Sequence, residues 1–394
     1  MEFFAMNNFS EIEYCTAISS SLNGNSFGKG WLLLVVICLF IAGCGTDAMK
    51  EVSISGEWNV VGFEGENVQF VRSGSEGIFL ATETELYESD AADLSSWTSK
   101  NMSQVLKEGE RIRDFLVFNE AEILGVVLYK YDESPEEHED YWDNFVSLFR
   151  TTDGGETWEP LYNEFTENGA NVGNVAAEPN METIYAGHAG NVAQSKDRGV
   201  SWSPLHWGNE DKKWEPQTNV SFIKVNPFYT DVIWSIGSGI TTGPLIIRTL
   251  NKGESWEIYN PIFADGYGGG PLRDVEFAQS NDDKVMVGMA DCIQLTKNSG
   301  ESWERIYEDK AVFALERGTV TDEAVYASGR IYWGEHSGRL YIAFTPDFGK
   351  NWQTFFYQEG PNDAIVNDLA VTEINGQETV LLATNQGLYS FSVD

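Results

Sequence analysis

The sequence predicts an all-β chain closed into a single β-propeller, and three observations lead there. A phrase ending in Trp recurs about every fifty residues, short apolar runs flank each copy, and the two ends of the chain read as halves of one repeat. The phrase is Ser/Thr-x-Asp/Asn-x-Gly-x-(Ser/Thr/Asn)-Trp. It is complete at Thr151, Asp153, Gly155, Thr157, Trp158 and at Ser195, Asp197, Gly199, Ser201, Trp202. Asn stands for Asp in Thr249, Asn251, Gly253, Ser255, Trp256 and in Thr296, Asn298, Gly300, Ser302, Trp303. In Thr345, Asp347, Gly349, Trp352 the hydroxyl position is Asn351.

Each copy has the chemistry of a hairpin turn. An apolar run such as 147–150 or 245–249 enters it and another strand leaves it. The Asp or Asn side chain folds onto nearby backbone amides, Gly supplies a positive φ, and the hydroxyl residue adds a local hydrogen bond. The Trp ring then packs beneath the turn, leaving its indole N–H one bond to make.

The phrase resembles the Asp-box, or BNR repeat, found in sialidases, sortilin-type receptors, xyloglucan-cleaving glycosidases and photosystem II assembly factors. That resemblance implies four-stranded antiparallel blades with the boxes on the outer rim, away from the axis. It also implies structural roles for Asp153, Trp158, Asp197, Trp202, Asn251, Trp256, Asn298, Trp303, Asp347 and Trp352. It names no activity, since function resides in sites and not in folds.

Two further tryptophans set the blade count. Trp97 ends a degenerate box whose upstream text, IFLATETELY over 78–87, parallels VLLATNQGLY over 380–389. The last unit stops before any Trp strand, whereas Gly56-Glu57-Trp58 reads like the end of a box. The N-terminal strand is therefore expected to complete the last blade, which leaves no open sheet edge in the ring. From Trp58 to Trp352 the seven positions advance in six steps of about 49 residues, giving seven blades. A six-bladed ring is the alternative if the first unit is not a full blade.

The N-terminal segment reads as an address. Residues 31–42, WLLLVVICLFIA, form a twelve-residue apolar run after Lys29, a signal-peptide core too short to span a bilayer. Ile41-Ala42-Gly43-Cys44 follows and resembles a bacterial lipobox, in which the thiol of Cys44 receives a diacylglycerol. Gly45 in place of Asp implies the outer membrane. Residues 1 to about 28 lack a basic start, which a true start near Leu22 would explain. The expected division is an extension and lipoprotein signal peptide over 1–43, a lipidated tether over 44–51 and the propeller over 52–394.

Charge and cysteine narrow the partners. The chain carries a net charge of −36, and after residue 43 there remain 58 acids and 24 bases. Nucleic acid and anionic membrane surfaces are thereby excluded as partners, the lipid anchor apart. Of four cysteines, Cys15 and Cys38 precede the lipobox and Cys292 stands alone in a strand-like stretch, so no disulfide framework is expected. The four histidines are scattered without zinc spacing, and no metal site or cofactor is expected beyond a bound cation such as calcium.

Function is then sought at the axis. Ahead of the apolar core of each inner strand, one slot is read as Asn67, Asp114, Asn174, Asn219, Asp274, Ala311 and Asp368. Arg113 and Arg273 precede two of these. Such a ring could hold a cation, hydrogen-bond a sugar or supply paired acids for glycoside cleavage, for which Asp114 and Asp274 are the candidates. Equally, an Asx at a strand start bonds its own backbone and the neighbouring blade. An acidic loop over 132–140 lacks the spacing of a calcium loop, and Trp142, Trp207, Trp214 and Trp333 lie outside the boxes as candidate aromatic platforms.

Two functions are consistent with these residues. One is a monomeric, non-catalytic binding or assembly propeller of the bacterial envelope that recognises a protein or glycan. The other is a glycoside hydrolase of xyloglucanase-like or sialidase-like type. Sialidases carry a Phe/Tyr-Arg-Ile-Pro motif that this chain lacks, and the xyloglucanases it resembles use two propellers with the cleft between them.

Overall fold

Seven antiparallel sheets, one per repeat, make up the described part of the chain. The structure is a computed structural model that describes residues 52–74, 77–90, 93–130, 145–161, 174–188, 191–205, 218–239, 243–259 and 272–394. The lipobox, the acidic loop 132–140, Trp142, Trp207 and Trp214 lie outside the described residues.

Blade 1 comprises Val68–Ser73, Ile78–Thr82, Leu86–Ser89 and Thr98–Ser99. Blade 2 opens with a split inner strand, Glu110–Ile112 and Leu116–Val117, and continues through Ile123–Lys130, Phe145–Thr151 and Glu159–Leu161. Blades 3 and 4 begin at Val175–Ala177 and Thr218–Val225, blade 5 at Asp274–Phe277 and blade 6 at Ala311–Arg317. Blade 7 takes three strands from the C-terminus, Val366–Ile374, Gln377–Thr384 and Gly387–Val393. Its outer strand is Gly56–Gly62, paired antiparallel to Gly387–Val393 with Trp58 opposite Phe391. Seven blades closed by the N-terminal strand match the reading of the repeats, and the six-bladed alternative is excluded.

The continuous apolar runs of the middle strands, such as Ile78–Thr82 and Val285–Gly288, have a direct consequence. Each sheet is buried on both faces, so the core is seven separate layers, each shared by two neighbouring blades. Between blades 6 and 7, for instance, Tyr326, Ile342 and Phe344 meet Val366, Leu369, Val380 and Phe391. First strands of neighbouring blades touch from blade 2 to 3, 3 to 4, 5 to 6, 6 to 7 and 7 to 1, which places them around the axis.

The boxes join third strand to fourth, as the turn chemistry requires. In blade 2 the Thr151 hydroxyl donates to Asp153 Oδ1 at 2.7 Å and accepts the Gly155 amide at 2.9 Å. Asp153 in turn accepts the Thr157 amide at 2.9 Å and the Thr157 hydroxyl at 2.6 Å. The amide bond recurs around Asp197, Asn251, Asn298 and Asp347, while Asn251 and Asn298 donate through Nδ2 to the Ser255 and Ser302 hydroxyls. Gly155 has φ +93° and Gly199 φ +86°, but the residue before the glycine is left-handed as well, Arg198 at +57° and Phe348 at +51°. The turn thus bends through two left-handed residues, where the phrase marked only one. The Trp158 indole bonds not its own turn but Lys100 O of blade 1, at 2.7 Å, tying rim to neighbour.

Candidate functional site

Four of the predicted axial residues form one repeated contact. Asp114, Asn174, Asp274 and Asp368 each accept a backbone amide from the next blade: Val175 at 2.9 Å, Ile223 at 2.7 Å, Leu315 at 2.7 Å and Val71 at 3.2 Å. The three aspartates also accept the amide of the residue that follows them, through Oδ1. Their carboxylates therefore stitch blade 2 to 3, 5 to 6 and 7 to 1, and the amide of Asn174 stitches 3 to 4. The bond of Asp368 to Val71, from blade 7 to blade 1, closes the ring.

The other three predicted positions fall out of register. In blades 1, 4 and 6 the pairing of the inner strand with the second strand gives the slot to Phe70, Phe222 and Ala314, three positions after Asn67, Asn219 and Ala311. A β-bulge precedes the slot in these blades, as it precedes Asp368 in blade 7. Asn67 instead donates to Glu83 at 3.2 Å and accepts from Asn367 at 3.0 Å. Asn219 pairs with Ser238 within its own sheet. No Asx marks the slot in those blades, and the apolar pattern alone does not fix its position.

Two residues beyond the slot a second layer faces the axis, and the sequence reading missed it. It consists of Arg72, Leu116, Ala176, Lys224, Glu276, Glu316 and Ala370 in blades 1 to 7. Its signal was present, because each charged member interrupts an otherwise apolar inner strand, as Glu316 does after Ala314-Leu315. Arg72 donates to Asp114 Oδ1 at 2.6 Å. Lys224 contacts Glu276 at 2.9 Å and Asp274 at 3.7 Å. Among the described residues Glu316 makes no hydrogen bond, and Lys224 is the cation that acts on it. A cavity of about 420 Å³ lies among these side chains, lined by Arg72, Asn174, Lys224, Asp274, Glu316 and Asp368. At the far end of the inner strands, Arg317 of blade 6 lies 4.8 Å from the Phe228 ring of blade 4.

The electrostatics follow from burial. Around the cavity stand five carboxyl groups, Asp114, Asp274, Glu276, Glu316 and Asp368, and two cations. Desolvation raises the Asp114 carboxyl, which is 0% exposed, even though Arg72 and two amides favour its charged form. Desolvation likewise carries Asp368 up to about 7 against the pull of Arg72. Glu316 is pushed up to about 8 by burial and by Glu276, Asp368 and Asp274, against Lys224. Lys224 moves well above its ordinary value, because Asp274, Glu276 and Glu316 outweigh its desolvation. Arg113 and Arg273, beside two slots, are exposed, and the Arg273 guanidinium lies 4.9 Å from the Phe313 ring.

At the rim the chemistry is closed. The Thr157 hydroxyl and amide, with Thr151, hold the Asp153 carboxyl down at about 2. Every box oxygen described above is engaged in its own turn. Cys292 is buried, and burial pushes its thiol up to about 12, which is inert packing rather than a nucleophile. Trp333 is 73% exposed beside Tyr332, their rings 5.3 Å apart, in the turn between the second and third strands of blade 6.

Comparison with known proteins agrees with this architecture. The BNR/Asp-box repeat family matches residues 149–160, the box of blade 2. A sequence search of curated proteins returns no match. Among solved structures, the GH74 xyloglucanase from Xanthomonas campestris superposes with a TM-score of 0.57 at 16% identity, over 85% of this chain and 53% of that one. The extracellular domain of a hybrid two component system from B. thetaiotaomicron superposes at 0.53 with 13% identity, over 86% of this chain and 40% of that one. This chain spans about half the length of the xyloglucanase, and identities this low speak to fold alone. The chain is a seven-bladed β-propeller in which five turns between third and fourth strands carry the box phrase, the one in blade 2 matching the BNR/Asp-box repeat.

Proposed function

We propose that this chain is a non-catalytic binding propeller, tethered to a bacterial membrane through lipid on Cys44, that receives a group of an envelope protein or glycan in its axial cavity. One observation supports this above others: the two carboxylates best placed for glycoside cleavage are already used. Both oxygens of Asp114 accept bonds, one from Arg72 and the Phe115 amide and the other from the Val175 amide. Asp274 is held the same way by the amides of Val275 and Leu315. A nucleophile or general acid needs an oxygen free to meet substrate. Binding needs only the cavity and the groups left over, Glu316 foremost.

A glycoside hydrolase is the second reading. It is favoured by Glu316, whose carboxyl is pushed up to about 8 by burial and neighbouring carboxylates, because an acid catalyst must hold its proton near neutrality. The deciding experiment is hydrolysis of a broad glycan panel by the full-length protein, with Asp114→Asn, Asp274→Asn and Glu316→Gln as controls. The binding reading expects no turnover on any glycan. Turnover that disappears in one of these variants would make the axis an active site. The tether is tested separately: radiolabelled palmitate should enter the wild type and not Cys44→Ala.

A further inference from the structure

Among the described residues Trp333 is the large apolar side chain most exposed to water, at 73%, and its neighbour Tyr332 is 38% exposed. Both lie in the turn that joins the second strand of blade 6, Val325–Arg330, to the third, Tyr341–Thr345. Arg330 pairs with Ala311, the first residue of the inner strand, so this turn stands at the end of the ring opposite the boxes.

The turn is anchored on both sides of the aromatic pair. Before it, Ile331 is buried and its carbonyl accepts the Gly338 amide at 2.9 Å. After it, His336 stacks on Phe356 with ring centroids 3.9 Å apart, and its carbonyl accepts the Arg339 amide at 3.0 Å. The Ser337 hydroxyl donates to Tyr332 O at 2.9 Å, and the Gly338 carbonyl accepts the Ala364 amide at 3.2 Å. The Arg330 guanidinium lies 5.1 Å from the centre of the Tyr332 ring. Two rings 5.3 Å apart, tilted by 44°, are thereby held out in water by a fixed backbone. Such preorganisation lowers the ordering cost of binding.

We infer that Tyr332 and Trp333 form a stacking platform for a neutral oligosaccharide. The site is separate from the axial cavity, which no residue of this turn lines. Area is the first reason for this occupant. The two rings offer roughly 250 Å², whereas a stable protein interface takes about 800 Å² from each side. The other exposed large apolar side chains among the described residues sit on outer strands or at the box end and do not extend the patch. The apolar face of one or two sugar rings is enough to cover it.

Polarity of the border is the second reason. Glu335 and Asp363, the latter with its side chain 80% exposed, offer acceptors, and Arg330, 4.0 Å from Asp363, offers donors. Sugar hydroxyls both donate and accept. A proline-rich segment also stacks on aromatic rings, but its prolines have no N–H to give these carboxylates. Charge is the third reason: the same carboxylates repel an acidic sugar.

The test is isothermal titration of the full-length protein with cellohexaose, mannohexaose and chitohexaose as neutral probes, hexagalacturonate as an acidic one and blocked decaproline as a peptide. Expected is binding of at least one neutral oligosaccharide and of neither other probe. Trp333→Ala should weaken it by about tenfold or more with Tm unchanged, Trp333→Phe should restore most of the affinity, and Glu316→Gln should leave it intact. Neutral binding that survives Trp333→Ala and is lost in Glu316→Gln would overturn the inference and leave the axial reading standing. Hexagalacturonate or decaproline bound through Trp333 in place of the neutral probes would overturn it too, as would a lack of binding by all three neutral oligosaccharides.

Discussion

At the rim and at the axis the same side chains do the same elementary thing, an Asp or Asn accepting backbone amides, yet the two systems differ in reach and in charge balance. A box Asp bonds residues two and four positions away in its own turn, faces water, and holds its carboxyl down, at about 2 for Asp153. An axial Asp bonds an amide some 41 or 61 residues further on, in the next blade, and burial raises the carboxyls of Asp114 and Asp368. Local bonds in water make a turn that any blade can repeat. Long-range bonds away from water make the ring, and they leave charge that the chain does not fully neutralise. Only the second kind of place has something to offer a ligand.

The largest effect that would sharpen this contrast is expected at the axis. Asp114→Ala strands Arg72 and removes the acceptor for two amides, and should cost about 3–5 kcal/mol in chemical denaturation. A cost near that of a surface change would mean that the inter-blade stitch holds little. At the rim, Gly155→Ala forces a methyl group into a backbone at φ +93° and to within 2.8 Å of Lys100 O. It should cost roughly 1–3 kcal/mol, the scale of strain at one turn. Smallest is Trp333→Ala, which should stay within about 0.5 kcal/mol, because the ring is mostly in water and belongs to neither system. A larger loss would show that the turn carrying Trp333 supports blade 6.

Much of the rim was legible in the sequence because its bonds are short in sequence. Thr151, Asp153, Gly155 and Thr157 are their own context, so spacing alone implied the turn, and the repeats implied seven blades closed by Gly56–Gly62. The axis was half legible. Asp114, Asn174, Asp274 and Asp368 were found, but in blades 1, 4 and 6 Asn67, Asn219 and Ala311 were read into a slot that belongs to Phe70, Phe222 and Ala314, where no Asx marks it. Register depends on how two strands pair, and neither strand shows that by itself. The charged second layer escaped for a related reason. Arg72, Lys224, Glu276 and Glu316 acquire meaning only when the inner strands are placed in register around one axis.

The most direct measurement is the Tm of the full-length protein from pH 3 to 8.5, wild type beside Glu316→Gln. A lowered carboxyl such as Asp153 contributes stability above about pH 4 that is lost as pH falls toward 2. A raised one acts in the opposite sense: Asp368 and Glu316 hold protons in the folded state that the unfolded chain has released, so stability declines as pH climbs from about 4 to 8. The wild type should therefore lose Tm between pH 5 and 8.5, by on the order of 2–5 °C, and Glu316→Gln should flatten that decline. A wild-type curve that stays level or rises across this interval, or an unchanged decline in Glu316→Gln, would contradict the view that the axis holds uncompensated carboxylates.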